Sequence, residues 1–474
     1  MRICTATPEG AASIRTRLRA GAHCSIALFR RARQSLPMEG PMATFSRTLP
    51  AALLAASLAF APGAARAQTP ATAPPQAPPP KITLQQAIQF ALMHNPSMRA
   101  ARTAIAQSKA EEVTANLRPN PVLGWDAQFI PLFSPSALTP DTIDQFSQFD
   151  IGLSYLFERG KKRQHRLAAA QEATAVTTSQ VSDAQRSLSY SVAQQFIGVL
   201  LAERSLAFAK QDLASFENTV KISEAQYKAG DISYGDYLKI KLQLLQFQLD
   251  VSSTTLARQQ SLVSLRQLIG FESVPADYDV SGSLDYQPLK VERPELEQLA
   301  LQLRPDLRAA RQGITAAQGQ YALAQANGKR DVNMTANYTH LGGLNNGSFF
   351  WTIQLPIFDR NQGEIARTNA AITQAQDSEI AARQQVLTDV GNAYDATRSD
   401  GESVELYQSG YLKQAKESRD ISAYAFQRGG ASLLDLLDAE RSYRAVELGY
   451  FETLASYQLA LEQLREAVGA RRLP

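Results

Sequence analysis

The sequence has very little cysteine: its two cysteines, Cys4 and Cys24, both lie near the N-terminus. From residue 25 onward there is no thiol to form a disulfide or to bind a metal as thiolate. The histidines beyond that point, His94, His165 and His340, stand far apart in the sequence. We therefore expect neither a structural metal site nor a cofactor.

Long apolar runs are also lacking. Residues 49–60 form a short one, preceded by Arg47 and followed by a small-residue site that ends at Ala67. This run is too short for a spanning helix and is typical of a secretory signal. We predict a leader and signal peptide over residues 1–67, with Met38 or Met42 as the start and cleavage near Ala67. A retained anchor is the alternative.

The residues that follow the predicted cleavage site carry no cysteine, so we expect no lipid anchor there. Residues 68–80 are rich in proline and alanine and predict a flexible tether. The formal charge of the whole chain is +3, and the first 67 residues, with nine arginines and two acids, carry +7 of it. The remaining −4 argues against nucleic acid as a partner.

Motifs of catalysis are missing as well. We find no nucleophile elbow, phosphate-binding loop or metalloprotease helix in the sequence. We therefore do not expect an enzyme.

Proline is absent from two very long stretches, residues 164–228 and 365–428, and both have helical character. At 1.5 Å per residue the first stretch extends roughly 95 Å as a helix, far more than a globular domain of this size needs. Each is followed by a return helix, so we predict helical hairpins over about residues 164–268 and 363–468. Hairpins of this length imply a projecting structure.

The first return helix carries two apolar stripes with the three-and-four spacing of coiled coils. One stripe is Leu238, Leu242, Leu245 and Leu249, and the other is Tyr237, Ile240, Leu244, Phe247 and Val251. Two adjacent stripes suit a helix with neighbours on both sides, and an ordinary hairpin core is the alternative. The second return helix has a heptad of large residues: Leu436, Tyr443, Tyr450, Tyr457 and Leu464.

The chain also repeats itself. Asn95-Pro96 and Arg304-Pro305 open corresponding helices, and Arg-Ala-Ala-Arg follows at residues 99–102 and again at 308–311. We predict a first repeat over residues 81–270, a linker over 271–294, a second repeat over 295–469 and a tail over 470–474.

Period-two alternation predicts four strands, at about residues 121–130, 147–158, 331–341 and 347–357. Four strands cannot close a barrel, and an exposed apolar sheet aggregates, so closure must come from other copies of the chain. With no spanning helix, we expect the strands to enter the membrane. The residues expected to face lipid are Leu123, Trp125, Phe129, Ile151, Leu153, Tyr155, Tyr338, Phe349, Trp351 and Ile353.

The two hairpin turns read as copies of one another. Gly230, Ser233 and Asp236 in the first correspond to Gly429, Ser432 and Asp435 in the second. The glycine ends one helix in a left-handed conformation, and the serine caps the next, with the aspartate at the third helical position.

With these features the sequence resembles the TolC-type outer-membrane efflux family over essentially all of the mature chain. The duplication, the helix openings, the strand exits at residues 156–162 and 355–364, and the paired turns carry the resemblance. It implies a mainly α fold with a small β part: a homotrimer whose 12-stranded β-barrel, four strands per chain, stands in the outer membrane above a long periplasmic α-helical barrel. The implied partners are a periplasmic adaptor (membrane fusion protein), an inner-membrane pump of the RND type and outer-membrane lipid.

The resemblance also implies roles for the turn residues. Asp435 and Asp438 would face the lumen at the closed periplasmic end, with Asp236 as the matching acid, and a capping acid beside a solvated one is the alternative. The family's best-known gate uses a tyrosine and an arginine where this sequence has Phe426 and Ala431, which favours a hydrophobic or electrostatic closure. Gly230, Ser233, Gly429 and Ser432 would meet the adaptor, or only form the turns.

The implied function is the exit duct of a tripartite efflux system. The strand exits look most like the heavy-metal-cation branch, so divalent metal cations are the expected cargo. The outlet of a drug-efflux or type I protein-secretion system remains an alternative. A soluble periplasmic coiled-coil adaptor or structural protein is the alternative from another class.

Overall fold

The computed structural model describes residues 80–474. The predicted leader over residues 1–67 and nearly all of the tether over residues 68–80 lie outside the described residues.

The first half of the described chain contains a short strand, three shorter helices, a strand pair and a long helical hairpin. Its elements are β1 (Lys81–Ile82), α1 (Leu84–His94), α2 (Pro96–Ala115), β2 (Val122–Gln128), α3 (Pro140–Phe146), β3 (Gln148–Phe157), α4 (Lys162–Ala229) and α5 (Tyr234–Ile269).

The second half follows the same plan. Its elements are β4 (Asp279–Val280), α6 (Arg293–Leu303), α7 (Pro305–Asn327), β5 (Val332–Leu341), β6 (Leu344–Ile353), α8 (Gln362–Leu406), α9 (Leu412–Gln427) and α10 (Leu433–Val468). The predicted fold class, mainly helical with a small β part, is therefore confirmed.

The two helix openings are built alike. The Asn95 side-chain amide donates to the Leu268 carbonyl (2.9 Å), and an Arg304 guanidinium nitrogen donates to the Ala467 carbonyl (3.3 Å). Each carbonyl stands two residues before the glycine that follows the return helix, where helix carbonyls lack intrahelical partners. In both halves, the start of a short helix is thus joined to the end of the long hairpin.

The four longer strands form one antiparallel sheet in the order β2-β3-β5-β6. Register pairs such as Trp125↔Ile151 and Ile151↔Tyr338 place residues of like character opposite each other across the sheet. β1 and β4 form a separate parallel pair, and β4 falls in the segment that the sequence predicted as a linker.

The segment between β2 and β3 contains three prolines, Pro131, Pro135 and Pro140, and the helix α3. Thr139 caps α3 through its side-chain oxygen, and Pro140 takes the first helical position, which suits its fixed φ.

The second long proline-free stretch is not one continuous helix. Residues Tyr407–Tyr411 form a π-helical turn between α8 and α9, and Gly410 within it has φ 147°. Residues with a side chain rarely adopt that backbone conformation. A single π turn adds one residue to the helix at this point. The absence of proline therefore did not guarantee a continuous helix.

α4 is the longest element, with 68 residues and a length of about 100 Å at 1.5 Å per residue. It packs against α5, α7, α2 and α10. Two apolar cores lie where the short helices meet the hairpins, one around Phe196, Leu265 and Ile269, the other around Leu296, Val390 and Leu464. None of the helices in residues 80–474 has both the length and the apolar character needed to cross a membrane.

Candidate functional site

The turn between α4 and α5 forms the first hairpin tip. Gly230 has φ 87° and ends α4, as a left-handed C-terminal glycine does. The Ser233 Oγ accepts from the Asp236 amide (3.1 Å), and the hydroxyl donates to the Asp236 carboxylate (2.9 Å). Lys239 donates to the other carboxylate oxygen (2.9 Å), and these two contacts, Lys239 first, lower the pKa of Asp236.

The turn between α9 and α10 forms the second tip, with Gly429 at φ 72°. The Asp435 carboxylate accepts from the Ser432 amide (3.0 Å) and hydroxyl (2.7 Å), while Ser432 Oγ accepts from the Asp435 amide (3.2 Å). This is a full capping box with Asp in the place of Glu, whereas the first tip lacks the reciprocal backbone contact. The Ser432 hydroxyl and then its amide lower the pKa of Asp435.

Asp438 lies one turn beyond Asp435 on the exposed side of α10. Its carboxylate accepts from Arg441 at 2.6 Å, three residues further along the helix. Both aspartates are exposed, on the opposite side from the buried Leu436. Asp435 thus makes the cap contacts and Asp438 makes an exposed ion pair in the described chain.

Phe426, which the sequence assigned to the gate, is buried within the single chain. Its side chain is 5% exposed, in a cluster with Phe216, Ile240, Phe247 and Leu436. Phe426 thus packs the second hairpin against the first. Its partners in the first hairpin lie about two hundred residues earlier in the chain, so no local pattern could reveal this packing.

An ion-pair cluster above the tips joins the two hairpins, and sequence reasoning missed it. Arg444 of α10 places Nε 3.0 Å from Asp212 Oδ2 of α4, and its Nη2 donates to Asp250 of α5. The guanidinium also lies over the Phe247 ring, 4.5 Å from its centroid. One side chain therefore contacts both helices of the first hairpin.

Asp212 is almost completely buried, and this burial raises its pKa to about 6 although Arg444 opposes the shift. Nearby Glu440 is also buried; desolvation raises its pKa, against the opposing effect of Arg419 and Arg444. Within residues 80–474 neither Asp212 Oδ2 nor Arg444 Nε makes a well-directed hydrogen bond. The contact is therefore mainly one of charge, and the pKa of Asp212 stays raised because desolvation outweighs the opposing effect of Arg444.

The two stripes of α5 have different environments. Ile240 and Phe247 of one stripe are buried in the cluster between the hairpins. Leu242 of the other stripe is 63% exposed, and Leu238, Leu245 and Leu249 are exposed as well. An exposed row of leucines at coiled-coil spacing indicates a surface that another helix can cover.

The apolar residues predicted to face lipid share one face of the sheet, with one exception. Register pairs place the side chains of Leu123, Trp125, Ile151, Leu153, Tyr155, Tyr338, Phe349, Trp351 and Ile353 on that face. Trp125 is 80% exposed and Phe349 77% exposed. Phe129 is the exception, because β2 ends at Gln128 and Phe129 has φ 58°, outside the pleat.

The opposite face of the sheet is polar. Asp126 and Asp150 are register partners on it, and Asp150 accepts from Thr339 on the next strand. Asn333 and Asn337 of β5 have the same parity as Thr339 and lie on this face too. Neighbouring amide and hydroxyl groups satisfy the two carboxylates.

Comparison with known proteins places these features in one family. The sequence profile described as "Outer membrane efflux protein" matches residues 87–271 and 296–470 of the chain, which are its two repeats.

Individual relatives match over most of their length. The "Cobalt-zinc-cadmium resistance protein CzcC" of Cupriavidus metallidurans is 24% identical, over 80% of this chain and 88% of that protein. The "Toluene efflux pump outer membrane protein TtgF" of Pseudomonas putida is 26% identical, over 68% of this chain and 69% of that protein. The solved structure of the outer membrane protein VceC from Vibrio cholerae superposes with a TM-score of 0.66 at 21% identity, covering 82% of this chain and 96% of that one.

Proposed function

The chain belongs to the outer membrane efflux protein family, and from this membership we propose that it is the exit duct of a tripartite efflux system. In this role it conducts substrate passively from an inner-membrane pump of the RND type and a periplasmic adaptor to the exterior. The observation that carries the proposal is the combination of an amphipathic sheet with long helical hairpins, of which the helix α4 is about 100 Å long at 1.5 Å per residue.

The sheet supports assembly into a homotrimer. β2 and β6 are edge strands, and the sheet exposes apolar side chains, including those of Trp125 and Trp351, on one face. A closed barrel requires about eight strands or more, and closure removes exposed edges. Three copies give twelve strands, with the apolar face toward outer-membrane lipid and the polar face toward the lumen.

The helices support the same assembly. The exposed leucine stripe of α5, Leu238, Leu242, Leu245 and Leu249, offers each chain a seam for the next one. Repeated around the threefold axis, the hairpins form a helical barrel that crosses the periplasm.

At the periplasmic end, we assign the gate to the acids of the two tips. Asp435 and Asp438 are exposed on one side of α10, so that three copies make two acidic rings, with Asp236 adding a third acid per chain. Rings of carboxylates favour cations in a narrow pore. Gly230, Ser233, Gly429 and Ser432 shape the tips that meet the adaptor, and Phe426 supports the second tip from inside.

The proposed cargo is divalent metal cations. The match to CzcC supports it, as do the acidic rings, which do not oppose the passage of cations. Export of hydrophobic compounds is the second candidate, because TtgF is similar to this chain at 26% identity. A duct only has to let its substrate pass, so its own side chains discriminate weakly between these cargoes.

Deletion of the gene tests the cargo. We expect lower tolerance to zinc, cobalt or copper, restored by the gene in trans, with unchanged tolerance to a panel of hydrophobic drugs. Sensitivity to the drugs with unchanged metal tolerance would replace the metal assignment and leave the duct intact.

A further inference from the structure

A cleft of about 290 Å³ lies where the sheet meets the first long hairpin. It is formed by the end of β3, the start of α4 and the segment after α2. Arg118, Lys161 and Arg163 contribute cationic side chains to it, and Tyr155 and Phe157 contribute aromatic rings. The cleft therefore combines positive charge with apolar surface.

The positive charge in the cleft is not neutralised within the described chain. Lys162 and Glu158 also line the cleft, but Lys162 pairs with Asp331 at 2.7 Å, and Glu158 pairs with Arg166 at 2.8 Å. For Arg118, Lys161 and Arg163, by contrast, no carboxylate oxygen of residues 80–474 lies within 4.0 Å. These three cations repel one another, and an anion would relieve that repulsion.

The start of α4 increases the positive potential. Helix N-termini carry a partial positive charge and usually have acidic residues in the first turn. α4 has none there, and no side chain caps it. The corresponding helix α8 has Glu364 in its first turn, where it pairs with Arg367, so the two repeats differ at this position.

The aromatic side of the cleft continues the apolar face of the sheet. Tyr155 and Phe157 lie on the same face of β3 as Ile151 and Leu153. The rings of Tyr155 and Phe157 pack edge to face, with their centroids 4.8 Å apart. A molecule held in the cleft by its charged end thus has apolar surface beside it along β3. This arrangement fits a lipid whose headgroup lies at the membrane boundary and whose acyl chains follow the strand.

We propose that this cleft binds the phosphodiester headgroup of an anionic glycerophospholipid in the periplasmic leaflet of the outer membrane. Arg118, Lys161 and Arg163 contact the phosphate, and Tyr155 and Phe157 contact the upper acyl chain. The inference rests on the proposed function, which puts the sheet in the membrane and the helix junction at its periplasmic side. Bound lipid would fix the depth at which the barrel sits.

The test compares lipids on the full-length, detergent-extracted protein. Native mass spectrometry with increasing phosphatidylglycerol, and in parallel with phosphatidylcholine, gives the apparent affinity of each lipid. The variant combines Arg118→Gln, Lys161→Asn and Arg163→Gln. Asparagine suits position 161 because Asn361 occupies the matching left-handed position before α8, with φ 64° against 59° for Lys161. The control is Arg367→Gln, which removes a paired arginine at the start of α8.

We expect the wild type and the control to prefer phosphatidylglycerol. The triple variant should bind that lipid roughly a hundred-fold more weakly, because each of the three basic side chains near an anionic surface contributes about five-fold and these factors multiply. If the triple variant does not fold, Lys161→Asn alone should weaken binding by about five-fold.

Equal affinity for the two lipids in the wild type, or an unchanged affinity in the variants, would overturn the inference. Displacement of the lipid by soluble glycerol phosphate at equal concentration would point to a free anion instead, and would also overturn it. A wild-type protein that never enters the membrane fraction would contradict the proposed function, so the two failures are distinguishable.

Discussion

Arg444 Nε lies 3.0 Å from Asp212 Oδ2, so a charged contact joins the return helix of the second hairpin to the outgoing helix of the first. The same guanidinium reaches Asp250 on α5. In the proposed duct, opening of the tips requires the hairpins to move apart, and Arg444 would restrain that motion. This contact lies well above the turn positions to which the sequence directed attention.

Replacing this arginine should destabilise the hairpin pair. Arg444→Gln leaves Asp212 buried without its ion-pair partner, and breaking a buried pair costs about 3 kcal/mol. We expect that decrease in the free energy of unfolding, measured by guanidinium denaturation of the detergent-solubilised protein. The matched control is Arg441→Gln, three residues away, whose exposed pair with Asp438 contributes less than about 1 kcal/mol. Equal effects of the two substitutions would contradict the role of Arg444.

Asp212 should make stability depend on pH. Its pKa is about 6 in the folded chain against 3.8 for an ordinary aspartate. Between about pH 4 and pH 6 the folded state therefore keeps a proton on Asp212 that the unfolded state has released. The contribution of Asp212 to the free energy of unfolding is complete below about pH 4 and is lost as the pH rises through about 6. We expect the wild-type melting temperature to fall more between pH 5 and pH 7 than that of Asp212→Asn. The same fall in both proteins would assign the effect to other groups.

The acids of the second tip should set ion selectivity. We expect Asp435→Ala combined with Asp438→Ala to weaken cation selectivity and block by multivalent cations in single-channel recordings. Asp435 also caps α10, so Ser432→Ala serves as the control that loosens the cap and keeps both charges. Unchanged selectivity in the double variant would leave Asp435 as a cap and Asp438 as a solvated acid.

The exposed leucines of α5 should hold the chains together. We expect Leu242→Gln with Leu249→Gln to release monomers that keep their helical circular dichroism, because both side chains are exposed within the single chain. Lys239→Gln on the same helix, which only breaks an exposed pair with Asp236, should leave the assembly intact. A trimer that survives the double leucine substitution would show that the chains meet elsewhere.

Features set by local chemistry were predictable from the sequence. Proline and glycine delimit the hairpins: the sequence predicted a hairpin over about residues 164–268, and the structure has helices at Lys162–Ala229 and Tyr234–Ile269. The alternation along each strand predicted that the apolar residues share one face of the sheet, because successive side chains of a strand point to opposite faces. Only Phe129 departs from that face, since the strand ends one residue before it.

Features set by distant contacts were not predictable. An aromatic residue near a turn has the same local sequence whether its ring is exposed or buried, so Phe426 gave no sign of its partners Phe216 and Ile240. Arg444 is separated by 194 residues from Asp250, and neither has a local pattern that marks a pair. The interruption at Gly410 depends on a backbone conformation that glycine permits but does not require.

We propose above all that the chain forms a membrane-inserted trimeric duct. The molar mass of the protein extracted from outer membranes with detergent tests this proposal, determined by size-exclusion chromatography with light scattering and corrected for detergent. We expect a single species with three times the mass of the mature chain. A monodisperse monomer recovered from the aqueous fraction would contradict it.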